Sequence, residues 1–233
     1  MVLKMTKQAL AIAVMTLGAV VAAQGQFVTN TPSVSVNSVV PSGNPDGMTS
    51  QISLSSVAGT ITSVTVNLDI TGGFNGNLYA YLSGPSGEFT VLLNRVGVSS
   101  TNSFGYGDSG FDITLSDASA NNIHDYQLNT PSFNGSGQLT NTWAPDGRNI
   151  DPLSSGTVFD TTTPTADLSS FNGNGADGTW TLFLADLSSG GDSTLVSWGL
   201  TVVTVPEPQT WVMVVGGIGV LVALNRRRNL GKP

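Results

Sequence analysis

Few side chains in this sequence of 233 residues can carry out acid–base or nucleophilic chemistry. There is one histidine, His124, and no cysteine. The missing thiols exclude cysteine nucleophiles, disulfides and thiolate metal sites, and a single imidazole excludes sites built from several histidines. We expect His124 itself to be a loop residue.

One serine has a suggestive context. Ser109 lies in Gly107-Asp108-Ser109-Gly110, which is similar to the nucleophile segment of trypsin-like proteases. That mechanism requires a histidine base and an orienting aspartate, with the histidine well upstream of the serine in those enzymes. Here His124 follows Ser109 by fifteen residues. The sequence therefore favours a glycine-rich turn over a peptidase site, and we predict no catalytic residues.

Carboxylates dominate residues 24–204. Thirteen aspartates and Glu88 face two arginines there, Arg95 and Arg148, which gives a formal net charge of −12. Such a surface repels nucleic acid and anionic lipid, so neither is predicted as a partner. A glycosidase would need two opposed carboxylates, and thirteen aspartates leave that alternative open by count. Catalytic acids are often glutamates, however, and Glu88 beside Gly87 indicates a turn.

The abundance of aspartate has two explanations. Aspartate is common in tight turns, and its carboxylate is also a ligand for hard cations such as Ca²⁺. Asp108, Asp112 and Asp117 form the candidate metal cluster, although no segment has the spacing of an EF-hand. A structural Ca²⁺ is therefore the only cofactor that the sequence suggests, and the turn explanation stays open beside it.

Aromatic side chains are candidates for stacking on sugar rings. The candidates are Trp143, Tyr79, Tyr81, Tyr106 and Tyr126. Tyr79 and Tyr81 are out of phase with Leu78, Ala80 and Leu82, so we expect the two tyrosines on the opposite face of their strand. Cross-strand packing is the favoured explanation, and sugar binding is the alternative.

The elements that must position these residues are strands. Apolar and polar residues alternate in short segments separated by glycine-, serine- and proline-rich turns. The alternating segments are Val34–Val36, Ile52–Leu54, Val64–Ile70, Leu78–Leu82, Trp180–Leu184 and Val196–Val202. The pattern predicts an all-β antiparallel sandwich or jelly roll, with Trp180 and Trp198 in its core. It places Val196 on the same face as Trp198.

The N-terminal residues are typical of an export signal. Lys4 and Lys7 precede an apolar stretch, and small residues follow. We predict a signal peptide at residues 1–23, cleavage by signal peptidase between Ala23 and Gln24, and a short leader at 24–33. No peptidase domain is expected before the β domain.

The C-terminal residues 205–233 resemble the PEP-CTERM sorting signal of Gram-negative bacteria. Val205-Pro206-Glu207-Pro208 is followed by a predicted apolar helix at 210–224 and then by Arg226, Arg227 and Arg228. The resemblance implies recognition and processing by an exosortase. Before processing, the helix would anchor the chain in the inner membrane with the β domain in the periplasm. Afterwards the protein would reach the cell surface or extracellular matrix.

Residues 34–204 resemble the P domain (P/Homo B) that follows the catalytic domain in proprotein convertases. The motifs are Leu82-Ser83-Gly84-Pro85, Leu92-Leu93-Asn94-Arg95, Gly178-Thr179-Trp180 and Val196-Ser197-Trp198-Gly199. The resemblance implies a β-sandwich of jelly-roll, galactose-binding-like type. It also implies a domain without catalytic residues that stabilises a neighbouring peptidase.

Two segments depart from that family's pattern. Gly76-Asn77-Leu78 and Phe111-Asp112-Ile113-Thr114 carry fewer carboxylates than the family often has there, which weakens any inherited calcium site. Residues 121–165 predict a longer and more polar loop region.

The sequence therefore predicts a secreted, non-catalytic surface or matrix protein that acts by binding, with extracellular polysaccharide as a candidate partner, or by bulk structure. The alternative is an accessory P domain that docks on a separately encoded serine peptidase.

Overall fold

The computed structural model describes residues 27–205, together with 217–219 and 221. The predicted signal peptide with its Ala23–Gln24 cleavage site lies outside these residues, as do Pro206, Glu207, Pro208 and Arg226–Arg228. Residues 217–219 and 221 are helical, and the rest of the predicted apolar helix is also outside. Within the described residues, the helices are too short or too polar to cross a membrane.

Strands are the main regular secondary structure of the described residues. The strands are β1 (Val28–Asn30), β2 (Ser33–Val39), β3 (Asn44–Leu54), β4 (Thr60–Gly72), β5 (Leu78–Ser83), β6 (Phe89–Asn94), β7 (Phe111–Leu115), β8 (Thr142–Trp143), β9 (Gly178–Asp186) and β10 (Ser193–Val205). A short helix, α1, spans Gly156–Thr161, and three 3₁₀ helices span Asn75–Asn77, Ile123–Leu128 and Leu168–Phe171.

These strands form two sheets that enclose one core. One sheet has the order β1-β10-β4-β7-β8, with β2 also paired to β10, and the other has the order β3-β9-β5-β6. Apolar side chains of both sheets belong to one buried cluster, in which Trp180 is 0% exposed and Trp198 is 1% exposed. The predicted all-β fold and the core position of both tryptophans are confirmed.

Strand alternation explains how the core is built. Val66 and Leu68 on β4 are buried, whereas Asn67 between them is exposed. Because successive side chains point to opposite faces of a sheet, the apolar set of β4 faces the second sheet. The same holds on β5, where Leu78, Ala80 and Leu82 are each 0% exposed.

Two details differ from the sequence-based expectation. The pair β7–β8 is parallel, so the first sheet is not wholly antiparallel. On β10 the residue that shares the core with Trp198 is Leu195, at 1% exposure, and the expectation for Val196 is wrong. A register shift between Leu195 and Ser197 explains this, since a β-bulge adds a residue and moves the alternation by one.

The two ends of the sandwich differ in what they carry. Val28 of β1 lies opposite Thr204 of β10, so both terminal strands finish at one end. Gly72 of β4 lies opposite Ser193 at the other end, where the loops after β2, β4, β6 and β9 meet. Strands of 13 residues separate the ends, which corresponds to about 40 Å at roughly 3.3 Å per residue.

Candidate functional site

His124 lies in the long connection between β7 and β9. With Asp146, Arg148 and Asn94 it forms a group of bonded side chains that we call the polar centre. The histidine is in the 3₁₀ helix Ile123–Leu128, not in an irregular loop, and is 3% exposed. Its Nδ1 lies 2.7 Å from Oδ2 of Asp146, and its Nε2 lies 3.0 Å from the carbonyl oxygen of Val98. The ring stacks on Phe159 with 5.5 Å between centroids. Both ring nitrogens are therefore occupied within the domain.

These neighbours determine how the imidazole can be bonded. A carbonyl oxygen can only accept, so Nε2 carries the proton in the hydrogen bond to Val98. The contact between Nδ1 and the fully buried side chain of Asp146 pairs the other ring nitrogen. His124 thus serves as a structural donor in this arrangement.

Asp146 is the hub of this polar centre. Its side chain is 0% exposed, and its Oδ1 lies 3.2 Å from Nη1 of Arg148. Its Oδ2 also accepts the backbone N–H of Asn94 at 3.2 Å. The side-chain amide of Asn94 donates to the carbonyls of Arg148 and Ile150. The carboxylate of Asp146 therefore joins the end of β6, through Asn94, to the connection between β8 and α1.

Ser109 does not join this centre. It is exposed, whereas His124 is buried, and no hydrogen bond joins these two described residues. Asp108 beside it accepts the Tyr126 hydroxyl at 2.8 Å and the Gln127 amide at 2.6 Å. Burial raises the pKa of Tyr126 well above its usual value. Residues 107–110 form an irregular segment that Asp108 holds against the 3₁₀ helix Ile123–Leu128.

The three candidate metal ligands have separate partners. Asp112 is exposed on β7, next to the amide of Asn134 at 3.4 Å. Asp117 accepts the backbone N–H groups of Leu168 and Ser169 at 3.1 and 2.6 Å. In the part of the chain that is described, no three or more His, Cys, Asp or Glu side chains are grouped so as to hold a metal. Ca²⁺ binding by Asp108, Asp112 and Asp117 stays a prediction, testable by chelation.

The candidate sugar-stacking rings fall into two groups. Trp143 is 3% exposed and Tyr126 is fully buried, so neither presents a ring face to solvent. Tyr79 and Tyr81 are half-buried on the outer face of β5, as predicted from their phase. Tyr81 stacks on Phe183 of β9 with centroids 4.8 Å apart. Tyr81 therefore packs across strands against Phe183, as the favoured explanation predicted.

Comparison with known families assigns this fold. The family model described as the proprotein convertase P-domain matches residues 61–202, from the start of β4 to near the end of β10. The chain belongs to the P-domain family. No curated protein matches it.

Two solved structures resemble this P domain. The serine protease of Aeromonas sobria has a TM-score of 0.43 and 13% identity, over 77% of this chain and 27% of that one. The complex of Aeromonas sobria serine protease with the chaperone ORF2 has a TM-score of 0.40 and 15% identity, over 78% and 28%. The chain thus spans about a quarter of the length of those proteins.

At the end of the P domain remote from its termini, two aromatic rings face solvent. Phe104, in the connection between β6 and β7, is 83% exposed, and Phe74, after β4, is 45% exposed. They border a cavity of about 740 Å³. Its wall consists of Gly43, Phe74, Asn77, Phe104, Gly105, Tyr106, Gly107, Leu187, Ser188 and Ser189. We call this feature the phenylalanine pocket.

Sequence reasoning missed both Asp146 and the phenylalanine pocket. Asp146 stands two residues from Arg148, one of two cations between residues 24 and 204, and that pairing was the available signal. Phe104 lies in Ser103-Phe104-Gly105-Tyr106, outside any alternating segment. An apolar ring in a glycine- and serine-rich loop was the signal for the pocket.

Proposed function

We propose that this P domain is an accessory module that docks on a separately encoded serine peptidase and stabilises it. The observation that carries the proposal is the match to the P-domain family over residues 61–202. In proprotein convertases, the P domain follows the catalytic domain and stabilises it. The same β-sandwich supplied by a second chain would perform the same task in trans.

The polar centre supports a non-catalytic role for this chain. Its histidine bonds internally through both ring nitrogens, and its carboxylate is engaged by His124, Arg148 and Asn94. A general base needs a nitrogen within hydrogen-bond reach of the substrate's proton. In this geometry the polar groups hold the long connection to the sandwich, and the outer surfaces are available for binding.

The test measures the lifetime of a peptidase with and without the P domain. A subtilisin-type serine peptidase encoded in the same genome and exported is purified and heated alone or with an excess of the chain. We expect slower loss of peptide hydrolysis in the presence of the chain, because a ligand that binds only the folded peptidase stabilises it by mass action. An acidic β-sandwich protein from another family serves as the control. Equal lifetimes in all samples would refute the proposal.

We also propose export and sorting from the terminal segments. A signal peptide ending at Ala23 and an exosortase tail beginning at Val205 would place the domain at the cell surface or matrix. The intact mass of the native protein in each cell fraction tests this. Loss of residues 1–23 and of the tail in the surface fraction is expected, and an uncleaved chain in the inner membrane would contradict it.

A second candidate is a surface or matrix protein that binds extracellular polymer. The resemblance of residues 205–233 to a sorting signal favours it, because such proteins end at the cell surface. Retention of the chain by isolated matrix polysaccharide, with no effect on any exported peptidase, would favour this candidate over the first.

A further inference from the structure

The phenylalanine pocket combines large exposed rings with a fixed backbone. Gly76 and Gly105 bring the two loops into direct backbone contact: a Cβ on Gly105 would lie 2.7 Å from Cα of Gly76. The amide N–H of Gly76 also donates to the carbonyl of Tyr106 at 2.8 Å. The loops that carry Phe74 and Phe104 are thus joined to each other.

Further hydrogen bonds fix the loop of Phe104. Arg95 donates from Nη2 to the carbonyl of Ser103 at 3.2 Å, and Asn102 donates from Nδ2 to the carbonyl of Gly105 at 3.0 Å. The N–H of Tyr106 donates to the carbonyl of Val96 at 2.9 Å. One of the two arginines of the domain is therefore used to hold a loop whose ring faces water. A loop whose backbone is held in place before binding loses little conformational entropy on binding.

The charge around the pocket defines the partner's chemistry. No residue of its wall is charged, although the domain has a formal net charge of −12. Acidic residues flank it: Asp108 follows Gly107 of the wall, and the exposed Asp192 follows Gly191, where a Cβ would lie 3.3 Å from the Phe74 ring. Arg95 is the cation that contacts these loops, and the two aspartates leave the surroundings with a net negative charge. A neutral apolar centre with such surroundings complements an apolar side chain flanked by lysine or arginine.

The pocket's location supports binding to a separate molecule. It lies where β4 ends and β10 begins, whereas the N- and C-terminal strands finish at the opposite end. A domain tethered through residues after Val205 would therefore present the phenylalanine pocket at the end away from its tether.

We propose that the phenylalanine pocket is the surface by which this P domain binds its peptidase, and that it takes an apolar surface residue of the peptidase flanked by basic side chains. The proposal rests on the docking function proposed above and names its interface. Phe104 and Phe74 are the anchors, and Asp192 contributes to electrostatic attraction during encounter.

The test compares variants of the full chain in binding to the exported subtilisin-type peptidase used above. Phe74→Ser/Phe104→Ser should weaken binding tenfold or more, because buried aromatic anchors carry most of an interface's affinity. Phe133→Ser is the matched control, since Phe133 is 42% exposed and lies outside the pocket wall. It should bind as the unaltered chain does. Asp192→Asn should slow association and reduce its dependence on salt.

The possible results separate the two proposals. If the unaltered chain binds the peptidase and the double variant binds equally well, the pocket assignment is overturned while the docking function stands. If the unaltered chain does not bind, both fail. Equal weakening by Phe133→Ser would also overturn the assignment, as would concentration-dependent self-association of the chain that the double variant abolishes. Melting curves of each variant, unchanged from the unaltered chain, show that the fold is intact.

Discussion

The sandwich and the connection from Ser116 to Phe171 each bury an aspartate completely, and the two carboxyls have very different surroundings. Asp146, in the connection, contacts the imidazole of His124 and the guanidinium of Arg148. Asp186, at the end of β9, accepts from two described residues, the Ser188 backbone N–H at 3.2 Å and the Ser193 hydroxyl at 3.4 Å. Both side chains are 0% exposed.

The difference reflects how each region is held together. The sandwich is stabilised by apolar packing, and no cation among the described residues contacts the carboxyl group of Asp186. Burial raises the pKa of Asp186 above its ordinary value, with the neighbouring Asp192 adding to the effect. The connection has few strands, so few backbone hydrogen bonds of a sheet hold it. The contacts of Asp146 with His124, Arg148 and Asn94 hold it instead. Loss of packing should therefore damage the sandwich most, and loss of charge should damage the connection most.

The largest effect is expected from Trp180→Ala in the sandwich. Trp180 is fully buried and its indole N–H donates to the carbonyl of Ala176 at 3.0 Å. Its removal should cost about 4 to 5 kcal/mol in the free energy of unfolding, because a large cavity remains and an acceptor loses its donor. Urea unfolding measures this. Trp180→Phe is the control and should cost clearly less; equal costs would show that packing volume does not dominate here.

The next largest effect is expected from Asp146→Asn in the connection. The substitution keeps the shape but leaves the guanidinium of Arg148 without its buried counter-charge and His124 without its carboxylate partner. It should cost about 3 kcal/mol, the lower part of the range for breaking a buried ion pair. Limited proteolysis should then cleave within residues 116–171 before the sandwich unfolds. A loss below about 1 kcal/mol, the level of an ordinary hydrogen bond, would contradict the hub role.

Asp186→Asn is the matched substitution in the sandwich. We expect it to raise the stability of the fold, whereas Asp146→Asn lowers it. Because the folded-state pKa of Asp186 is raised, its stabilising contribution is present at low pH and is lost as pH rises through the unfolded and folded values. Asparagine stays neutral, so the variant should melt a few degrees higher than the unaltered chain near pH 7. The difference should shrink as pH falls below the usual range of aspartate. Melting curves across pH test this, and a lower melting temperature at pH 7 would contradict it.

The smallest effect on stability is expected from Phe104→Ser. This ring is 83% exposed and forms no part of the buried core. The change in unfolding free energy should stay within about 0.5 kcal/mol, as for most surface substitutions. Urea unfolding beside Trp180→Ala gives the contrast between an exposed and a buried aromatic ring. A cost above about 2 kcal/mol would show that Phe104 has a structural role and would weaken its assignment as a binding anchor.

The difference between the sandwich and the connection also explains which parts of the fold the sequence could predict. Alternation identified β4, β5, β9 and most of β10, because these strands have one buried and one more exposed face. It did not identify β6, where Val91, Leu92 and Leu93 are all buried and the period is lost. It also misplaced Val196, since no local signal marks the bulge beside it. Regular strand packing produces a local alternation of apolar and polar residues that can be read from the sequence. A β-bulge of one residue produces no such pattern.

The polar centre was harder to predict than the strands. Asp146 meets His124 across 22 positions and Asn94 across 52, and such pairings depend on the path of the whole connection. The sequence instead emphasised Asp108, Asp112 and Asp117 for their closeness along the chain. Their partners prove to be distant residues such as Tyr126 and Leu168. Closeness in sequence was therefore a poor guide to which carboxylates share surroundings.

The position of β10 has a mechanical consequence. It is paired with β4 along its whole length and with β1 and β2 on its other side. If a bound partner pulled at the phenylalanine pocket while the chain was held beyond Val205, the load would run along β10 and be shared in shear by all these hydrogen bonds. Pulling Val28 and Val205 apart would instead peel β1 away one bond at a time. The sandwich would thus resist tension between Val205 and the phenylalanine pocket better than tension between Val28 and Val205.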